Sequence, residues 1–191
     1  MTDKKTINLL SSICSIMFRK NFFGIYHGAI SAKTDQHRFL INKSDSMFDK
    51  MDENAYCDLS IITQDYRWNT ASMDSHIHAN IYNNIHEAKY IAFGVPLYTT
   101  AYSLTHDKIV FEDYFGKTAF NELPIYDPGD FSTWYNRNGL EITKYLKESH
   151  NHVMIIKGVG TYVYDRDINS LLKKIAILEN SCRLLSLKSS F

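Results

Sequence analysis

The sequence predicts a layered α/β fold. Segments with the 3.6-residue apolar spacing of helices alternate along the chain with short apolar or β-branched runs. Of 191 residues, 45% are apolar and 22% charged, ordinary usage for a chain that buries one core. No internal repeat, low-complexity tract or Pro/Gly-rich linker divides it, so a single domain over residues 1–191 is expected.

The first predicted element is a helix over about 6–20, with Leu9, Ile13, Ile16 and Met17 at helical spacing. Its Asn and Ser residues, and the Arg19-Lys20-Asn21 that follows, argue for an amphipathic helix rather than a targeting segment. Residues 29–32 and 38–42 read as a hairpin around polar 33–36, and 59–63 as a strand. Ser72 is placed as N-cap of a helix reaching Ala88, whose stripe is Ile77, Ile81 and Ile85. A strand over 90–94, a short helix over 97–104 and a strand over 108–112 follow. Pro124, Pro128 and Gly129 mark a long loop. Asp130 caps a helix reaching Ser149, interrupted by Gly139. Strands over 153–156 and 160–164 precede a last helix with Ile168, Leu171, Leu172, Ile175, Leu178 and Cys182 in register.

Charge narrows the function classes. Lys plus Arg total 21 and Asp plus Glu total 21. A net charge of zero lacks the basic surplus of a nucleic-acid or anionic-membrane binder, so neither partner is expected. No run of 18 apolar residues occurs, so no transmembrane helix is expected. Cys14, Cys57 and Cys182 form no CxxC pair, which excludes zinc-ribbon and redox signatures and fits a reduced, cytoplasmic setting.

Eight histidines are the surplus to test as metal ligands or bases. His76 and His78 on one helix point about 200° apart and do not share a metal; a hydrogen-bonded role is expected. His150 and His152 would share a face if they lay on a strand, whereas a turn would leave them solvated. The Gly158-Val159-Gly160 run lacks the third glycine and the following helix of a dinucleotide site.

Longer motifs are more specific. In order they are His27-Gly28-Ala29-Ile30-Ser31-Ala32, then Phe39-Leu40-Ile41-Asn42-Lys43-Ser44-Asp45, then Ser72-Met73-Asp74 with His78 and Tyr82 four apart. Ile91–Val95 followed by Pro96-Leu97-Tyr98-Thr99-Thr100-Ala101 comes next, and last 153–156, Lys157-Gly158, 161–164 and a helix with Glu179. This order resembles the class II aldolase and adducin head-domain family, which includes fuculose-phosphate aldolase-like and ribulose-phosphate 4-epimerase-like enzymes. The resemblance spans about 8–187.

The resemblance implies a three-layer α/β/α domain with a mostly antiparallel central sheet. It implies zinc held by two histidines of a His-Thr-His motif and one of Asn-His-Gly; those slots are Phe93, Val95 and Lys157 here. Phe and Val offer no ligand atom, and Lys ligates only when deprotonated, so no cofactor is expected. The acid/base Glu becomes Asp74. Of the phosphate-binding residues Gly28, Ser44 and Ser72 remain, while Ala29, Asp45 and Met73 replace Asn, Gly and Ser; a carboxylate at Asp45 repels phosphate. The family's C-terminal tail, which contributes a catalytic Tyr, is expected to be missing. The resulting expectation is a metal-free, catalytically degenerate domain with a binding or structural role. It would take a small sugar phosphate and form a homo-oligomer, a tetramer in the family. The alternative is a remodelled sugar-phosphate aldehyde-lyase or epimerase with Asp74 as base and Lys157 as Schiff-base amine.

Overall fold

The computed structural model describes residues 4–188. Helix α1 (Lys4–Arg19) buries Ile7, Leu10, Ile13, Cys14 and Met17 along one stripe. It leads to a hairpin of β1 (Ala29–Lys33) and β2 (Arg38–Asn42), with Ser31 opposite Ile41. Strand β3 (Tyr56–Ser60) pairs with β2, starting and ending three residues earlier than expected. The cause is local. Ser60 Oγ accepts from the amides of Ile62 and Thr63, both at 3.2 Å, and turns the chain out of the sheet. Ile62 is thereby left 67% exposed.

Helix α2 (Ser75–Asn84) is shorter than the expected 72–88. Ser72 stays outside it, its amide donating to the Asn42 carbonyl at 2.9 Å. Asp74 is the N-cap instead and makes no side-chain capping bond. Strand β4 (Tyr90–Gly94), helix α3 (Leu97–Ser103) and strand β5 (Lys108–Val110) follow. Helix α4 (Tyr114–Ala119) and strand β6 (Glu122–Tyr126) lie where a loop is expected. Pro124 is tolerated because it pairs only with Lys108 of β5, while the parallel pairing of β6 with the next strand begins at Ile125. Asp113 starts α4 by accepting from the Gly116 amide at 2.9 Å.

Helix α5 (Phe131–Glu148) begins at its expected cap, Asp130, whose carboxylate accepts from the Ser132 amide. Gly139 does not break it. A Cβ there would sit 3.1 Å from Asn80 and 3.2 Å from His76, so glycine lets α5 approach α2. Strands β7 (Val153–Ile156) and β8 (Gly160–Asp165) and helix α6 (Ile168–Lys188) complete the fold.

The eight strands form one sheet in the order β3-β2-β1-β4-β8-β7-β6-β5. Only β6 and β7 run parallel, so the sheet is mixed and mostly antiparallel. One face packs on α1 and α6 through Leu10, Met17, Ile30, Ala92, Val163, Leu171 and Leu178. The other packs on α2 and α5 through Ile77, Ile81, Ile91, Ile142 and Tyr162. The three-layer α/β/α arrangement is borne out. No helix among the described residues is long and apolar enough to cross a membrane.

One polar contact ties the α6 layer together. Glu179 is 8% exposed. Its carboxylate accepts from the amides of Tyr98 and Thr99, each at 2.9 Å, and from the Thr99 hydroxyl at 2.8 Å. Helix α3 starts after Pro96, whose side chain cannot cap it, so an acceptor 80 residues away satisfies its first amides. Glu179→Ala strands three donors, and a loss of about 2–4 kcal/mol in urea-measured stability is expected. A loss under about 0.5 kcal/mol would show that water caps α3 equally well.

Candidate ligand-binding cleft

The ends of β1, β2 and β4 and the entry to α2 open into one cleft of ≈ 370 Å³. It brings together Gly28, Ser44, Ser72, Asp74, Phe93 and Val95, with Tyr26, His27 and Asn42 beside them. Six positions singled out from sequence thus share one space. Their order along the chain gives no hint of this; the β1–β4 and β1–β2 ladders bring them together.

Each wall has a local cause. Gly28 has φ +151, and a Cβ there would lie 2.6 Å from the Phe23 ring, so only glycine keeps this approach open. Asn42 is 2% exposed, and its Oδ1 accepts from the Ile30 amide at 2.8 Å, locking β1 to the end of β2. Ser72 Oγ accepts from the Asp74 amide at 3.3 Å. Ser44 is exposed, with a long contact of 3.4 Å to the Thr70 carbonyl. Asp45 is exposed and does not line the cleft.

Asp74 is the acidic side chain of the cleft. Its Oδ1 accepts from the Tyr162 hydroxyl at 2.8 Å. Burial pushes its carboxyl above the usual range, against the opposing pull of the Tyr162 hydrogen bond and of His76. Tyr162 lies flat on Phe93, with ring centroids 4.6 Å apart and planes 27° apart. The two residues are cross-strand partners of β8 and β4. Sequence reading missed Tyr162, which looks like an ordinary strand residue; only the β4–β8 register places its hydroxyl under Asp74.

Beneath this pair lies His78, fully buried. Its Nδ1 is 2.7 Å from Ser31 Oγ, which is 2.7 Å from the Tyr82 hydroxyl. Its Nε2 is buried without a partner among the described residues. Burial depresses its pKa to about 3, so it is neutral near pH 7. His76 bonds the Met73 carbonyl at 2.9 Å and Asn138 at 3.1 Å. Both histidines are hydrogen-bonded, as expected.

Lys157 does not line the cleft. It sits in the β7–β8 turn, with its Nζ 3.0 Å from Asp107 and 3.8 Å from Asp127. The Asp107 hydrogen bond raises its pKa, the opposite of what a Schiff-base amine requires. The β6–β7 pairing brings acidic residues to this turn, so Lys157 pairs with them. His152 lies in the tight turn before β7 with φ +59, not on a strand. It stacks on Tyr164 at 4.4 Å, and Lys174 Nζ is 3.2 Å from its Nδ1. These contacts account for it without a metal.

Zinc, which the fold family implies, can be tested against the side chains present. Phe93 and Val95 face the cleft and carry no ligand atom. Among the described residues, no three His, Cys, Asp or Glu side chains cluster so as to hold a metal ion. The donor set does not fit zinc.

The chain belongs to the class II aldolase and adducin N-terminal domain family, whose model matches residues 8–186. Its fold is similar to that of l-fuculose-1-phosphate aldolase from Thermus thermophilus, with TM-score 0.82, 18% identity and coverage of 96% of this chain and 93% of that one. It is also similar to YgbL from Escherichia coli, with TM-score 0.81, 16% identity and coverage of 98% and 91%. A sugar-phosphate aldolase from Thermotoga maritima gives TM-score 0.73, 14% identity and coverage of 97% and 95%. No curated protein matches the chain by sequence.

The neutral His78 has a consequence for acid stability. Its folded pKa of about 3 lies below the ordinary 6.5. As pH falls through 6.5 the unfolded chain takes up the proton first, so stability is full above that value and declines toward 3. Urea midpoints measured from pH 7 to 4 are expected to fall more steeply for the wild type than for His78→Asn. Parallel pH profiles would show that His78 charges freely in the folded protein.

Proposed function

We propose that this chain is a metal-independent, catalytically degenerate member of its family that binds a small hydroxylated ligand of the sugar-phosphate class in the Asp74 cleft. One observation carries the reading. The Asp74 carboxylate is engaged by a tyrosine hydroxyl, and that tyrosine stacks on Phe93 at 4.6 Å, where the family pattern calls for a metal-binding histidine. Class II aldol chemistry needs a metal to stabilise the enediolate, and Phe93 and Val95 supply no ligand. Gly28, Ser44 and Ser72 still line the cleft beside them. The Gly28 backbone and the Ser44 and Ser72 hydroxyls support recognition of phosphate or hydroxyl groups.

A second reading has one observation in its favour. Asp74 lines the cleft with its carboxyl raised by burial, which suits a general base in a remodelled lyase or epimerase. Self-association also belongs to the proposal: Leu104, Phe131, Tyr135 and Leu140 are each at least 60% exposed, the composition of an interface between copies. Three unpaired, buried cysteines suit a reducing, cytoplasmic setting.

The test is calorimetry on dialysed protein with dihydroxyacetone phosphate, alongside elemental analysis. Binding that survives chelator, with zinc far below one equivalent, is expected. Ser72→Ala is expected to weaken binding by roughly 5–10-fold. Stoichiometric zinc retained through dialysis would overturn the metal-free reading. Turnover of the probe abolished by Asp74→Asn would establish the enzymatic alternative.

A further inference from the structure

We propose that Tyr162 is a positioning residue for ligand recognition: its hydroxyl holds one oxygen of Asp74 so that the other accepts a hydrogen bond from a hydroxyl of an uncharged, carbohydrate-like part of the ligand. The inference rests on the reading of the Asp74 cleft as a ligand site. It adds the group that sets this carboxylate and the kind of ligand group it reads.

The geometry is specific. Tyr162 is 2% exposed and does not line the cleft, whereas Asp74 does. Phe93 stacks on one side of the Tyr162 ring, and the buried His78 ring approaches it edge-on at 6.2 Å and 70°. A ring held by two neighbours and by its own strand has one direction for its hydroxyl. That direction ends on Asp74 Oδ1. As N-cap of α2, Asp74 would ordinarily bond a first-turn amide, and it makes no such bond. Among the described residues its Oδ2 has no hydrogen-bond partner, and Asp74 forms no salt bridge.

The surroundings select the ligand chemistry. A carboxylate is acceptor-only when ionised, so its free oxygen attracts an O–H donor and repels an anion. Phosphate therefore does not sit at Asp74; the serine and glycine side of the cleft is left for it. The titratable groups that act on Asp74 are Tyr162 from β8 and His76 from its own helix; His27, from the segment before β1, and Phe93 and Val95 line the same cleft. Tyr162 is raised well above its ordinary value of 10 by burial and by the Asp74 charge, so it stays a donor.

Tyr162→Phe keeps the ring and its stack and removes only the hydroxyl. Carbon-13 NMR titration of the Asp74 carboxyl, assigned with Asp74→Asn, reads the first effect. Loss of the downward pull is expected to raise the midpoint by about one pH unit. Calorimetry at pH 7 with dihydroxyacetone, and separately with inorganic phosphate, reads the second. Dihydroxyacetone affinity is expected to fall by about 5-fold in Tyr162→Phe while phosphate affinity holds. An unmoved midpoint overturns the positioning role, and so does a moved midpoint with unchanged dihydroxyacetone affinity. If neither probe binds the wild type, the reading of the cleft as a ligand site fails too. Wild-type binding that Tyr162→Phe does not weaken sinks this inference alone.

Discussion

The carboxylate of Glu179 is the joint on which one layer of the molecule hangs. Helix α3 is only seven residues long, too short to be stable alone. Its first amides need an acceptor, and the sequence before it supplies Pro96. Glu179 meets that need from the middle of α6, and in doing so fixes where α6 lies relative to the end of β4. Strand β4 carries Phe93, and Val95 follows it, so the cap also sets the position of the cleft's apolar wall. A buried carboxylate is costly unless satisfied, and three donors make this one a constraint rather than a liability.

The cleft itself follows a second rule, which is aromatic. A histidine pair in a metal site is held by the ion it binds. Here Phe93 is held by Tyr162, and Tyr162 by Phe93 and His78. Stacking is the source of rigidity here, and each such ring contact contributes about 0.5–1.5 kcal/mol beyond burial. The hydroxyl of Tyr162 then gives a polar end to an otherwise apolar stack. Beneath it, Ser31 links His78 to Tyr82 by two contacts of 2.7 Å, fastening α2 to β1 through hydrogen bonds rather than charge.

Much of the fold was legible because helical periodicity survives wherever a helix lies on a sheet. α1, α5 and α6 show their buried stripes openly, and β1, β2, β4, β7 and β8 lie where short apolar runs place them. What failed to show in sequence depended on single contacts. Ser60 turning back on the amides of Ile62 and Thr63 shifts β3, and Pro124 at the one parallel junction hides β6. Of the cleft, Gly28, Ser44, Ser72, Asp74, Phe93 and Val95 are positions that family order singles out. Their convergence was not legible, since it depends on strand register. The partners of Lys157, Asp107 and Asp127, were not legible because they are distant in sequence and met only through β5, β6 and β7. Tyr162 has no sequence signature: in a run of Thr, Tyr, Val, Tyr, nothing marks which ring meets a carboxylate.

The order of the sheet also decides what its two edges offer to other strands. An open sheet ends in two strands with unpaired backbone groups, a template for further strands. One end here is β5, three residues long with Lys108 paired to Glu122 at 2.8 Å. The other is β3, where the Arg38–Asp58 ion pair at 2.8 Å places charge on the rim, and a short helical turn at Tyr66–Thr70 follows closely in the chain. A short edge and a charged edge both discourage sheet-to-sheet growth. The exposed apolar side chains of α5, Phe131, Tyr135 and Leu140, lie instead on a helical face.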